Sequence, residues 1–217
     1  MGGGISKQLL TLSGIPVVVH TMLAFEHADT VSEIIVAAKK DELPLYAEFA
    51  KTYHITQFKK AVEGGDTRQQ SVKNAFAAIS DKTKFVAIHD GARCLVTREE
   101  IDRVCEAAYV SGAAAAAIRT PETVKREKGG LIAETLDRDH IWLARTPQVF
   151  GTDVYRTALA VAERDGITVT DDCALVEHIE YRIRLIPCSH HNIKITTAED
   201  IPFAAAILSM RKMEENS

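Results

Sequence analysis

The chain has 217 residues, 46% of them hydrophobic, with 26 Lys and Arg against 30 Asp and Glu and a formal net charge of -4. That length suits one domain, residues 1–217, with enough apolar material for a sizeable core. With no basic block, a nucleic-acid footprint is excluded, and any anion site must be a local pocket. The longest small-apolar run, Ala113 to Ile118, is too short to span a membrane. The start lacks a signal-peptide pattern. Cys94, Cys105, Cys173 and Cys188 have no CxxC spacing and read as free thiols of a reducing cytoplasm.

Strand-like and helix-like stretches alternate, which predicts an α/β fold with a largely parallel sheet. Pro16 opens a helix running to about Ala28. Ser32 to Ala38 reads as a buried strand, Asp41 to Tyr53 as a helix with a kink or late start at Pro44, and Gln57 to Glu63 as a short strand. Thr67 to Ile79 is helical, with Val72, Ala75, Phe76 and Ile79 on one face. Phe85 to Ile88 is a continuous apolar run and reads as a central strand. Thr97 caps the next helix, with Glu100 completing a capping box.

Gly112 to Ile118 is a strand of small residues, against which something packs closely. Thr123–Arg126 and Leu131–Leu136, joined by Glu127-Lys128-Gly129-Gly130, then break the pattern as a hairpin. Thr146–Phe150 is a short strand, and Asp153–Asp165 and Asp171–Ile179 are helices. Arg182–Cys188 and Asn192–Thr196 are late strands, and Thr197 caps a final helix with Asp200 in its first turn.

Two segments carry chemistry. Gly64-Gly65-Asp66-Thr67-Arg68-Gln69-Gln70-Ser71 and His89-Asp90-Gly91-Ala92-Arg93 each follow a strand and precede a helix. Ligands of open α/β sheets bind at the carboxyl ends of strands. Glycines there admit a ligand to backbone N–H groups, and Arg68 and Arg93 supply planar cations suited to phosphate. Two such loops side by side imply a nucleotide next to a phosphorylated partner. His190-His191 has no third ligand at useful spacing and makes no metal site. Asp171-Asp172 reads as a helix cap rather than an acid/base pair. Lys194, between Ile193 and Ile195, points out of the core or into a cleft.

In this order the segments resemble the 2-C-methyl-D-erythritol 4-phosphate cytidylyltransferases of the non-mevalonate isoprenoid route. The matching stretches are SKQLLTLSGIPVVVHT, GGDTRQQSV, VAIHDGAR, ETVKR, TLDR, RTPQVF, TVTDD and NIKITTAEDI, from residue 6 to about 210. The resemblance implies a Rossmann-like nucleotidyltransferase, a three-layer α/β sandwich with a mostly parallel sheet and a protruding β-hairpin arm at residues 120–140 that joins a homodimer. It implies that Gly65, Asp66 and Ser71 read the cytosine of CTP, with Asp90 by the ribose. Lys7 would stabilise the transition state, and Lys194 would place the attacking phosphate. Arg93, Thr146 and Thr170 would contact the erythritol substrate, and Thr123 and Arg138 would reach the partner's. Magnesium would be held mainly by the triphosphate, with no protein ligand named.

The family opens with a strand and a loop of the form AAGxGxRMG directly before SKQ. This sequence starts at Met1-Gly2, matching the last two letters. The expectation is a shortened chain without that strand, its triphosphate cradle and an arginine. Cys94 replaces a usual Pro, and Glu122 a common Asp. Ribitol 5-phosphate cytidylyltransferase is the nearest alternative. Lys125 after ETV and the Asp137-Arg138 pair fit the methylerythritol enzyme better. A non-catalytic relative is the other alternative, against which Lys7, Arg138 and Lys194 stand. An NAD enzyme lacks its GxGxxG.

Overall fold

The computed structural model describes residues 6–215; the Met1-Gly2 start lies outside them. A 3-10 turn at Lys7–Leu9 leads into a small hairpin, β1 (Thr11–Leu12) and β2 (Ile15–Pro16). Sequence reasoning does not anticipate this hairpin. Its Ser13-Gly14 turn has φ of 51° and 86°, the double left-handed step that two-residue hairpins need. Helix α1 (Val17–Glu26) follows directly after Pro16. Strand β3 (Ile34–Ala38), helix α2 (Leu43–Thr52) and strand β4 (Phe58–Glu63) come next, then α3 (Arg68–Phe76), β5 (Phe85–Ile88), α4 (Arg98–Ser111) and β6 (Ala113–Arg119). The arm is β7 (Lys125–Lys128) and β8 (Leu131–Thr135). The chain closes with β9 (Trp142–Gly151), α5 (Thr152–Asp165), α6 (Asp172–His178), β10 (Arg184–Pro187) and α7 (Asp200–Glu215).

The main sheet has the order β10-β6-β9-β5, and β3 pairs with β4 in a separate sheet. β10 runs parallel to β6 and β3 to β4, whereas β9 is antiparallel to both β6 and β5. Three of the four main strands therefore point one way. β9 reverses because the arm, not a crossover helix, connects it to β6. It is also longer than the sequence reading, since Trp142–Arg145 continue the ladder beside Ala117–Arg119.

The alanines of β6 explain the three layers. Ala114 and Ala116 face one core with Phe25, Ile101, Val104 and Cys105 of α1 and α4. Ala113 and Ala115 face a second core with Phe150, Tyr155, Leu159 and Leu175, from β9, α5 and α6. Side chains of period 2 split between two faces, and methyl-sized groups let helices on both faces approach. Gly112, in the left-handed conformation at φ 81°, ends α4; a Cβ there would lie 2.0 Å from the Tyr181 hydroxyl. The arm is fully exposed, including Leu131 and Ile132. The Arg119 guanidinium sits 4.7 Å from the centre of the Trp142 ring at its base. Among the described residues no helix is long and apolar enough to cross a membrane.

Three expectations are corrected. Asn192–Thr196 forms no ladder; its Ile195 N–H donates to Ala92 O at 2.8 Å. Thr197 does not cap the last helix. Asp200 Oδ2 instead accepts from the N–H groups of Thr196 and Thr197 at 2.7 and 2.9 Å, and the helix starts at Asp200 itself. Among the described residues β5 lies at the edge of its sheet, paired only with β9.

The capping box at α4 forms as expected, with Glu100 N–H donating to Thr97 Oγ1 and Thr97 N–H to Glu100 Oε2. Glu100 Oε1 also accepts from Ser189 N–H at 2.5 Å. It thereby ties α4 to the segment after β10. Thr97→Ala should therefore cost about 1 kcal/mol in urea unfolding. Glu100→Ala should cost clearly more, because the half-buried Ser189 N–H then loses its acceptor. Equal losses would separate Ser189 from the stability of the helix.

Candidate active site

Asp90 sits just past the end of β5 with its side chain 13% exposed, and three cations converge on it. Arg68 Nε donates to Oδ1 at 3.2 Å; Lys194 Nζ and Arg93 Nε lie 3.0 and 3.4 Å from Oδ2. Burial alone would raise this carboxyl. The hydrogen bond and charge of Lys194, with the charge of Arg68, outweigh burial and hold it down at about 2. Asp90 is therefore an anion at neutral pH and cannot act as a general acid there.

Each cation arrives from a different part of the chain. Arg68 opens α3, whose Thr67 cap accepts from Gln70 N–H. Its Nη1 also pairs with Asp172 Oδ2 at 2.6 Å, and Asp172 Oδ1 accepts from the Tyr155 hydroxyl at 2.6 Å. Arg93 is buried, and its Nη1 donates to Asn192 O at 3.0 Å. Asn192 is fully buried and donates from Nδ2 to Thr146 O. Asn192 and Ile195 are both buried, and Lys194 between them reaches Asp90.

His89 and Thr146 fix the Asp90 backbone. Thr146 Oγ1 accepts from Asp90 N–H at 3.1 Å and bonds His89 Nδ1 at 3.0 Å; His89 Nε2 lies 3.2 Å from Arg93 O. Nε2 can only donate to a carbonyl, and in the neutral ring Nδ1 then accepts from the Thr146 hydroxyl. Burial pushes the ring's pKa down to about 4.

Arg68, Asp90, Arg93, Thr146 and Lys194 line a cavity of about 190 Å³ with Arg145, Gln148, Thr170 and Asp171. Four cations face two carboxylates there. The volume falls below the ~300–1,000 Å³ of pockets for drug-sized ligands, and suits a small phosphorylated polyol better than a nucleotide. Of the residues named from the sequence it unites Asp90, Arg93, Thr146, Thr170 and Lys194. Gly65 and Ser71 stand at the neighbouring end of β4, where Ser71 Oγ accepts from Gly65 N–H at 3.0 Å. Asp66 is exposed beside them. Lys7 is exposed in its 3-10 turn and lines neither this cavity nor the larger one beside it, although its neighbour Gln8 lines the larger. Thr123 and Arg138 lie at the foot of the arm, with Arg138 Nη1 donating to Pro121 O at 3.1 Å, outside the cavity.

The structure adds residues that sequence reasoning did not single out. Arg145 lines the cavity, and its buried Nε has no partner among the described residues. Gln148 Oε1 accepts from the N–H groups of Asp172 and Cys173 while its Nε2 donates to Asp171, joining β9 to the start of α6. Gln69 holds the Ile167–Val169 backbone from α3 and so sets the loop that carries Thr170. Only the stretches GGDTRQQSV and RTPQVF marked these positions. Asp171 caps α6 as expected, accepting from Ala174 N–H. Asp172 instead is the buried partner of Arg68.

The family model IspD, 2-C-methyl-D-erythritol 4-phosphate cytidylyltransferase, matches residues 1–210. The chain belongs to that family. A 2-C-methyl-D-erythritol 4-phosphate cytidylyltransferase of Halalkalibacterium halodurans is 37% identical over 98% of this chain and 92% of its own. One from Syntrophus aciditrophicus is 39% identical over 93% and 87%. The crystal structure of the enzyme from Thermus thermophilus superposes with a TM-score of 0.81 at 32% identity, covering 94% of each chain. That of 4-diphosphocytidyl-2C-methyl-D-erythritol synthase from Anaerococcus prevotii reaches 0.87 at 26% identity, covering 93% of each. The chain is thus a nucleotidyltransferase with the three-layer α/β fold of these enzymes.

The His89 tautomer has a consequence for stability. Its folded pKa, about 4, lies below the ordinary value of about 6.5, so its contribution is present above pH ~6.5 and fades as pH falls toward 4. His89 is a half-buried residue, and the expected effect, discounted for solvent screening, is about 1–2 kcal/mol. Between pH 7 and pH 4.5, urea unfolding should show the native chain losing that much more stability than His89→Gln. Parallel losses would mean the imidazole titrates freely.

Proposed function

We infer that this chain joins CMP from CTP to the phosphate of 2-C-methyl-D-erythritol 4-phosphate and releases pyrophosphate. The observation that carries the reading is the cation-rich cavity on Asp90, adjoining the glycine turn at the end of β4. A phosphate monoester is already an anion at neutral pH, so its oxygen can attack the α-phosphorus without a general base. As that P–O bond forms, the bond to the β-phosphate oxygen breaks and pyrophosphate leaves with the electron pair. Catalysis then rests on holding two anions together and stabilising charge as it shifts. Lys194 and Arg93 are placed to receive the polyol phosphate, with Thr170 at the rim. Arg145 brings an unpaired donor edge to the same cavity. Thr146 contributes mainly through a hydroxyl already engaged by His89 and Asp90.

In this reading Gly65, Asp66 and Ser71 would read a base edge from the end of β4, and Lys7, from the N-terminal turn, would stabilise the transition state. Magnesium fits as an ion carried on the triphosphate, where it would neutralise charge. Asp90, already shared among three cations, is the carboxylate that would face it. We place the enzyme in the cytoplasm, where its unpaired cysteines stay reduced.

Pyrophosphate release should require CTP, with UTP and ATP orders of magnitude poorer, and should prefer methylerythritol phosphate to ribitol 5-phosphate. Lys194→Ala should lower turnover by about a hundredfold or more while the chain stays folded. Equal use of the three nucleotides, or near-normal turnover without Lys194, would overturn the assignment.

We also propose a homodimer built on the arm. Leu131 and Ile132 are 74% and 70% exposed on a two-stranded arm, and such a ribbon is stable only when docked. A partner's arm would bring Thr123 and Arg138 to a substrate they do not reach within their own chain. Arg138→Ala should raise KM for the polyol phosphate far more than for CTP. Mixed with Lys194→Ala protein it should regain part of the activity, through heterodimers holding one intact site. A monomer in sedimentation, or no complementation, would refute it.

A further inference from the structure

Four cations and two carboxylates line the active-site cavity, and one of the cations has no counter-charge. Arg68 is paired with Asp90 and Asp172, and Lys194 with Asp90. Arg93 has Nε 3.4 Å from Asp90 Oδ2, and its Nη1 donates to the Asn192 carbonyl at 3.0 Å. The second carboxylate, Asp171, accepts from Gln148 and caps α6. Among the described residues the Arg145 guanidinium pairs with no carboxylate, and its Nε is buried without an acceptor. A buried donor without a partner is destabilising, and so is a cation held near another cation. Arg145 combines the two. Burial lowers the pKa of Arg93, Asp90 opposes this, and the charge of Arg145 lowers it further. Burial and Glu100 push the Cys188 thiol up, while the charges of Arg145 and Arg93 oppose them. The Arg145 charge is therefore felt by both Arg93 and Cys188.

The local backbone brings Arg145 there. In the ladder of β6 and β9, Ala115 opposes Gln148 and Ala117 opposes Ala144. Arg145, Thr146 and Pro147 therefore share the place opposite Ala116. A bulge of this kind breaks the two-residue alternation and re-aims side chains, and bulges are common beside active sites. Here the two neighbours Arg145 and Thr146 both line the cavity, where regular alternation would send them to opposite faces.

We propose that Arg145 is a substrate-binding residue, whose guanidinium grips two oxygens of the polyol phosphate and leaves the third free to attack. The assignment rests on the cytidylyltransferase reading. A phosphate monoester supplies the missing counter-charge, since near pH 7 it carries most of two negative charges on three acceptor oxygens. An arginine fork matches two of those oxygens at once. As the third bonds to the α-phosphorus, negative charge leaves this phosphate for the departing pyrophosphate. Arg145 therefore holds the ground state at least as firmly as the transition state. Its contribution falls on KM and not on kcat, in contrast to the turnover loss expected at Lys194.

Steady-state kinetics of the whole chain carrying Arg145→Gln or Arg145→Lys tests this. Arg145→Gln should raise KM for the polyol phosphate about ten- to a hundredfold. Its kcat and its KM for CTP should stay within about twofold of native. Arg145→Lys keeps the charge without the fork and should recover only part of the loss. A second measurement needs no turnover. Inorganic phosphate should raise the urea midpoint of the native chain clearly more than that of Arg145→Gln. Its general effect as an excluded salt is common to both chains and cancels. Without phosphate, Arg145→Gln should be no less stable than native, because it removes an unpaired cation. An unchanged KM for the polyol phosphate, a rise confined to CTP, or a fall in kcat alone would overturn the proposal. So would a smaller species in sedimentation, which would give Arg145 to a partner's arm. If the native chain turns over no CTP, the unfolding comparison decides alone. Unequal midpoint shifts would then keep Arg145 as a phosphate ligand and remove the cytidylyltransferase reading, whereas equal shifts would remove Arg145.

Discussion

One carboxylate organises this molecule's chemistry. Asp90 would be costly to bury alone, and it is kept ionised by Arg68, Arg93 and Lys194. The dependence runs both ways, since three cations brought this close would repel one another without it. Each arginine is anchored elsewhere as well, Arg68 on Asp172 and Arg93 on the Asn192 carbonyl. The cluster therefore fastens α3, the end of β5, α6 and the segment before α7 at one point. A cavity that must gather phosphates gains from cations whose mutual repulsion is already balanced, because little reorganisation is left for the moment of reaction.

The fold supplies that point by ending strands where the charges are needed. β4 and β5 both finish in short turns, and the helix after β4 starts with the arginine that crosses to Asp90. Alanine in β6 is the less conspicuous half of the design. It brings α4 on one face and α5 and α6 on the other close to the sheet, which seats Asp172 and Tyr155 beneath the site. Gln148 then carries the position of β9 into the first turn of α6. The arm has none of this support, and its exposed Leu131 and Ile132 are what the proposed dimer would cover.

Periodicity and turn chemistry by themselves determined most elements of this protein. They located the capping box at Thr97, the glycine turn after β4, the arm with its paired glycines and the α/β alternation, because each is written within a few consecutive residues. The two loop motifs placed Asp90 and Arg93 for the same reason. Only the tertiary structure decided the rest. Lys194 reaches Asp90 from a segment that forms no strand and is anchored by the buried Asn192 and Ile195. Asp172 is an ion-pair partner rather than a cap because Arg68 arrives from a helix more than a hundred residues earlier. Arg145 and Gln148 become site residues through the antiparallel course of β9, which follows from the arm. Such contacts join residues far apart in sequence, and no local pattern encodes which distant charge will fill a buried position.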